Sequence, residues 1–149
     1  MQKKGIWKTV VIAAMIMAVC GITCGCSNQT AAAYKDGTYT GKSSEFKEDE
    51  SGNGAGYGVV EITIKDQKIT ACEFRMYELD GTLKDENYGA GLSKENRLKA
   101  QKAVQSAGKY AADLVKAGNI EQVDVISGAT ISYNEMKEAV QDALKKAES

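Results

Sequence analysis

Histidine and proline are both missing from this chain of 149 residues. Without histidine the chain lacks the commonest metal ligand and the commonest general base, which excludes a histidine-based hydrolase or a zinc site. No functional consequence follows from the lack of proline. Cysteine is scarce: three of the four lie near the N-terminus, at Cys20, Cys24 and Cys26. Cys72 is then the single thiol of the remaining chain, so no intramolecular disulfide framework is possible there. Excess basic charge is also missing, with 19 basic against 20 acidic residues. There is no basic block and no patch of interleaved basic and aromatic residues, which argues against nucleic acid as a partner. No internal repeat is visible, so a tandem array is not expected.

The N-terminal end carries Lys3, Lys4 and Lys8, then an apolar stretch over residues 9–19 that ends in small residues and cysteines. That order is the order of an export signal. Residues 1–26 are therefore expected to be a lipoprotein signal peptide, with Cys26, between Gly25 and Ser27, as the best lipidation site. Thr23 stands where a leucine is usual three residues earlier, and Cys24 is the weaker candidate. A plain transmembrane anchor competes with this, because residues 9–26 approach the shortest length that spans a bilayer. Gly21, Thr23 and Gly25 dilute the end that such a helix would need. Removing residues 1–26 leaves 16 basic and 20 acidic residues, a net charge of −4. Residues 27–33 read as a short tether without periodicity. Residues 34–149 suit one domain with one core, held close to the outer, extracytoplasmic face of the membrane of a Gram-positive bacterium.

Within that domain, residues 34–42 alternate as a first strand. Residues 43–58 are polar and glycine-rich and read as a flexible loop, not as a nucleotide fingerprint, because no strand feeds the glycines and no helix follows them. Residues 59–64 then alternate, with Val60, Ile62 and Ile64 on one face. Lys65, Asp66, Gln67 and Lys68 turn the chain, and the next run puts Cys72, Phe74 and Met76 on one side against Glu73 and Arg75 on the other. On that pattern Cys72 is an inert core residue. Lys84, Asp85 and Glu86 read as solvated charge. Residues 93–117 carry Leu98, Val104, Ala107, Tyr110, Ala111, Leu114 and Val115 near helical spacing, and Gly118 with Asn119 supplies a stop. A short strand is expected over residues 120–126, followed by a last helix that buries Met136, Ala139, Val140, Ala143 and Leu144. Strands, helix, strand and helix in that order predict an α+β fold, a small antiparallel sheet packed with two main helices.

The densest signal lies at Asp124, Val125, Ile126, Ser127, Gly128, Ala129 and Thr130, which lead into a helix start. Ser132 precedes Glu135 by three residues, the spacing of a capping box, so a helix is expected to begin just after Thr130. Backbone N–H groups and the positive end of a helix dipole beside a small glycine-containing loop make a ready place for a phosphate. A plain helix-entry turn is the alternative.

The run Asp124 to Thr130 resembles the flavinylation signature of the FMN-binding domain family, which includes a peripheral subunit of the sodium-pumping NADH:quinone reductase and many surface lipoproteins. The likeness extends to residues 34–41, to residues 60–69 and to Asp85, Glu86, Asn87, Tyr88 and Gly89, and so covers residues 34–147. The resemblance implies that a separate flavin transferase, drawing on FAD, joins the phosphate of FMN to the Thr130 hydroxyl as a phosphoester. It also implies that Asp124 serves recognition during that transfer, although a strand-end acid capping the loop is the plainer role. Gly128 then lets the backbone approach the phosphate, Ala129 keeps the space clear, and Ser127 supplies a hydrogen-bond donor. Tyr88, flanked by glycine on a loop before a helix, is the candidate wall for the flavin ring, with packing on Leu92 as its alternative. The implied protein is a membrane-anchored electron carrier fed by a membrane quinone-dependent donor, and a redox carrier is favoured over a stand-alone enzyme. The alternatives are a non-covalent FMN-binding module, and a cofactor-free lipoprotein whose signal peptide is a pheromone precursor.

Overall fold

A computed structural model describes residues 33–49 and 54–148. The expected signal peptide, Cys24, Cys26 and all of the tether but Ala33 lie outside the described residues. Three antiparallel strands form one sheet in the order β1-β2-β3: β1 (Gly37–Lys42), β2 (Tyr57–Lys65) and β3 (Lys68–Tyr77). Two helices follow, α1 (Lys94–Ala117) and α2 (Thr130–Ala147), so the α+β expectation holds.

The sheet forms where apolar residues alternate. Val60, Ile62 and Ile64 are each at most 2% exposed, and Phe74 faces Val60 across the β2–β3 ladder. Asp66 and Gln67 close that hairpin with φ of 50° and 64°. Two consecutive left-handed residues give the turn whose twist matches paired strands. Asp36 fastens this turn to the neighbouring strand by accepting from the Asp66 backbone N–H at 2.9 Å. The first strand starts at Gly37, later than the sequence implies, while Tyr34 bridges to Glu148 and ties the two ends of the domain together.

Both helices cover the apolar face of the sheet, α2 over β1 and β2 and α1 against β3. Ser93 starts α1 by accepting from the Asn96 N–H, and Gly118 ends it in the left-handed conformation, φ 71°. Tyr110, Ala111 and Leu114 are buried as expected. Leu98 is not: it is 65% exposed, and the buried residues of α1, Ser106, Tyr110, Ala111 and Leu114, all lie in its C-terminal half. In α2, Met136, Ala139, Val140 and Ala143 are fully buried, and Leu144 packs at the edge of the same cluster. The small residues let α2 lie close: a Cβ on Gly41 would come within 2.6 Å of the Ala143 nitrogen. Cys72 packs against the core, and burial together with the charge of Glu73 pushes its thiol up to about 12, which fits an inert role.

Residues 120–126 differ from the expected strand. Ile120–Gln122 is a single 3-10 turn started by the Asn119 side chain, and the following residues are irregular. With no strand beside them, Val123 and Val125 have no ladder to join; Val123 is instead buried and Val125 exposed.

Candidate functional site

The chain reaches α2 through a tight turn. The Ala129 N–H donates to the Ile126 carbonyl at 2.9 Å, and Gly128 occupies the third position with φ 76°, a conformation that glycine adopts without steric cost. Tyr110 of α1 clamps the turn from inside. Its hydroxyl accepts from the Ile126 N–H at 2.9 Å and donates to the Ala129 carbonyl at 3.1 Å. Ala129 is buried while Thr130, the first residue of α2, is exposed.

The capping box is not formed. Ala129 is the N-cap and no side chain caps the helix start. Because α2 begins earlier than that pattern requires, Ser132 and Glu135 both lie within it, only 3% and 5% exposed. The first turn of α2 therefore presents N–H groups that no side chain satisfies, at the positive end of the helix dipole.

This helix start opens onto a cleft of about 870 Å³. Thr130, Ser132 and Glu135 of α2 line one side of it, the loop carrying Tyr88 and Leu92 lines another, and α1 contributes Asn96 and Lys99. The size lies within the roughly 300–1,000 Å³ of small-molecule sites. Among the described residues no group of three or more His, Cys, Asp or Glu is placed to hold a metal ion.

A polar cluster lies in this cleft. Lys84 is only 8% exposed, which corrects its expected place among solvated charges. Its ammonium lies 4.9 Å from the centre of the Tyr88 ring. The Glu135 Oε1 atom is buried without a hydrogen-bond partner. Burial lowers the Lys84 pKa from its ordinary value, opposed by the charges of Glu135 and Glu78. Burial likewise raises that of Glu135, opposed by Lys84 and reinforced by Glu138. Tyr88 is raised, first by burial and then by Glu78, Glu135 and Glu48.

Three alternate glycines make room for these groups. A Cβ on Gly54 would collide with the Tyr88 hydroxyl, one on Gly56 with the Lys84 side chain, and one on Gly58 would lie 2.7 Å from the Phe74 ring and 3.0 Å from the Glu135 Cβ. Gly54, Gly56 and Gly58 recur at the two-residue period that points side chains to one face of an extended chain. What reads as loop composition is, at its described end, a cradle leading into β2.

Of the residues expected from sequence, the fold brings Gly128, Ala129, Thr130 and Tyr88 to one cleft. Asp124 and Ser127 do not line it; both are exposed on the approach to the turn. Sequence reasoning gives Lys84, Glu135, Ser132 and the clamping Tyr110 other roles: solvated charge, a capping box and helix core. The three spaced glycines are the signal that points to the first two. Lys102 also approaches the turn, its Nζ 3.2 Å from where a Gly128 Cβ would stand.

A family model described as the FMN-binding domain matches residues 54–145. Among solved structures, a crystal structure of a protein from Clostridium perfringens is 24% identical, with a TM-score of 0.56 over 77% of this chain and 89% of that one. A solution structure of a protein from Clostridium thermocellum is 30% identical over 77% of this chain and 93% of that one, with a TM-score of 0.47. The first of these shows a shared fold. No curated protein gives a significant match.

Proposed function

The chain belongs to the FMN-binding domain family, with FMN as its cofactor, and on that premise we propose that it carries FMN covalently on Thr130 and serves as a membrane-anchored electron carrier outside the cell. The residues present fit this cofactor. The cleft has the volume of a ligand site, its lining residue Glu135 carries a buried, orphaned carboxylate oxygen, and Tyr88 offers an aromatic wall. FMN, when bound, supplies one- and two-electron chemistry, and the protein supplies position and electrostatics.

The observation that carries the covalent reading is the place of Thr130. Thr130 is exposed at the uncapped start of α2 and lines the cleft. A separate flavin transferase, drawing on FAD, would find it accessible, while the N–H groups of the first helical turn and the nearby Lys102 favour a phosphate beside it. Tyr110 fastens the backbone of the turn that leads into Thr130. Asp124, exposed and outside the cleft, is free to meet a modifying enzyme. Outside the cell a reversibly bound cofactor is lost by dilution, which a covalent link prevents. That argument joins the phosphoester to the anchor proposed at Cys26, and a quinone-dependent membrane donor fits a carrier held at that surface.

The experiment is direct. The chain is co-expressed with a flavin transferase, denatured, run on a gel and examined for flavin fluorescence in the band. Wild type is expected to fluoresce, Thr130→Ala to be dark, and Thr130→Ser, which keeps a hydroxyl, to fluoresce. Fluorescence in Thr130→Ala would refute the assignment. A dark wild type that still binds added FMN would favour the non-covalent module. A colourless wild type that binds none would leave the cofactor-free lipoprotein.

A further inference from the structure

Lys84 and Glu135, 8% and 5% exposed, are unusual groups to bury. Charged side chains are almost never fully buried unless paired, and each lone pair or proton left unsatisfied adds to the cost. Here Lys84 comes from the loop after β3, Glu135 from the second turn of α2, and both line the cleft. Glu135 Oε1 has no partner although the residue is 5% exposed. A methyl group at Gly54 would meet Tyr88, one at Gly56 the Tyr77 carbonyl and the Lys84 side chain, and one at Gly58 the Phe74 ring and the Glu135 Cβ. The Lys84 ammonium donates to the Gly54 carbonyl at 3.5 Å, while Glu135 keeps acceptor capacity unused. A buried donor and a buried acceptor lining one partly open cleft describe a site for a ligand edge that itself alternates acceptor and donor.

The isoalloxazine ring has such an edge. Its pyrimidine side presents two carbonyls that flank an N–H, and its far side is a dimethylbenzene with no polar atom. The cleft has both buried polar and exposed apolar lining. Of the residues lining the cleft, Lys84 and Glu135 are buried, while Leu79 and Leu92 are 49% and 50% exposed. We propose that Lys84 and Glu135 are the polar anchor for the pyrimidine edge of the flavin, Lys84 donating to a ring carbonyl and Glu135 accepting from the ring N–H, with the dimethylbenzene edge directed toward Leu79 and Leu92. This rests on the reading that FMN occupies this cleft, and adds to it an orientation and two recognition residues. Tyr88, beneath the Lys84 ammonium, positions that donor through a cation–π contact.

The orientation is tested by infrared difference spectroscopy of the flavinylated chain, with isotope labels on the two flavin carbonyls and on the ring N–H. Lys84→Met is expected to shift one carbonyl band to higher wavenumber, since a lost hydrogen bond stiffens the C=O bond. Lys84→Gln, which keeps an N–H donor, is expected to restore part of that shift. Glu135→Gln, nearly isosteric and thus safe for folding, is expected to raise the ring N–H stretch, because an amide oxygen is a weaker acceptor than a carboxylate. Lys68→Met, in the exposed hairpin turn, serves as the control and is expected to move none of these bands. Unchanged carbonyl and N–H bands in both Lys84→Met and Glu135→Gln, with in-gel fluorescence retained, would overturn the anchor and leave Thr130 attachment standing. A dark wild-type gel band would count against Thr130 alone. The same bands are then compared with saturating FMN added, where absence of any variant effect, or of any binding, overturns the anchor.

Discussion

The hydroxyl of Tyr110 donates to the carbonyl oxygen of Ala129 at 3.1 Å, joining the middle of α1 to the residue that caps α2. The Tyr110 hydroxyl oxygen in turn accepts from the Ile126 N–H at 2.9 Å, so one fully buried side chain fixes both ends of the turn that presents Thr130. Tyr110→Phe keeps the ring and removes the bridge, leaving a partly buried backbone N–H without its partner. The expected cost is about 1–3 kcal/mol, read as a lower urea midpoint at unchanged slope. Flavin attachment is expected to slow as well. A variant with wild-type stability would show that the turn holds itself.

Close approach of β1 to α2 leads to a second expectation. A methyl group at Gly41 would meet the Ala139 carbonyl, the Ala143 nitrogen at 2.6 Å and the Ala143 Cβ at 2.9 Å. Two of those three atoms are backbone, so no rotamer change relieves the clash. Gly41→Ala is expected to destabilise the domain by at least about 1–3 kcal/mol, the usual cost of overpacking. Denaturant unfolding of the variant checks it, and a cost below 0.5 kcal/mol, the spread of ordinary surface substitutions, would contradict it.

Much of the scaffold is legible in the residues themselves. Val60, Ile62 and Ile64 announce a strand because a two-residue period has one burial solution, and α1 is legible from its apolar spacing and from Ser93 and Gly118 at its ends. Residues 120–126 mislead, because alternating Val123 and Val125 imitate a strand that has nothing to pair with. Ser132 and Glu135 mislead in another way. Their spacing is that of a cap, but a cap needs its side chains at the helix start, and the helix has already begun at Thr130. Lys84 is illegible alone: only when β2 brings Gly56 alongside does a charged loop residue acquire a buried place. The Thr130 end of the candidate site is thus written locally, whereas the Lys84–Glu135 end shows in the sequence only through the spacing of Gly54, Gly56 and Gly58.

Cys72 provides a third prediction. Its thiol is raised from 9.0 to about 12 by burial first and by Glu73 second, so its thiolate is about a thousandfold scarcer than that of an ordinary cysteine near neutral pH. Since the thiolate is the nucleophile, alkylation by iodoacetamide in the folded domain should be slower by two to three orders of magnitude than in urea. Peptide mapping by mass spectrometry reads Cys72 apart from the N-terminal cysteines. Equal rates in the folded and unfolded chain would show an accessible, reactive thiol and reopen a chemical role for it.

The last prediction concerns Glu135 and pH. Burial holds its pKa above the ordinary 4.5, with Glu138 adding to the rise and Lys84 opposing it. The folded state then keeps this proton to higher pH than the unfolded chain does. Stability from this group is fully present below 4.5 and is lost as pH climbs through the folded value, because there the unfolded chain binds fewer protons than the native one. Lys84 acts in the other direction and in another range. Its pKa is lowered by burial, so its contribution makes stability rise with pH between its folded value and the ordinary 10.5. Glu135→Gln has no proton to lose and mimics the protonated form. In protein prepared without flavin, its stability should match wild type in acid and exceed it increasingly as pH passes upward from 4.5. Urea midpoints of both proteins across that range make the comparison. Parallel curves, or a wild type that gains on the variant as pH rises, would mean that Glu135 is paired well enough in the folded domain to carry its charge without penalty.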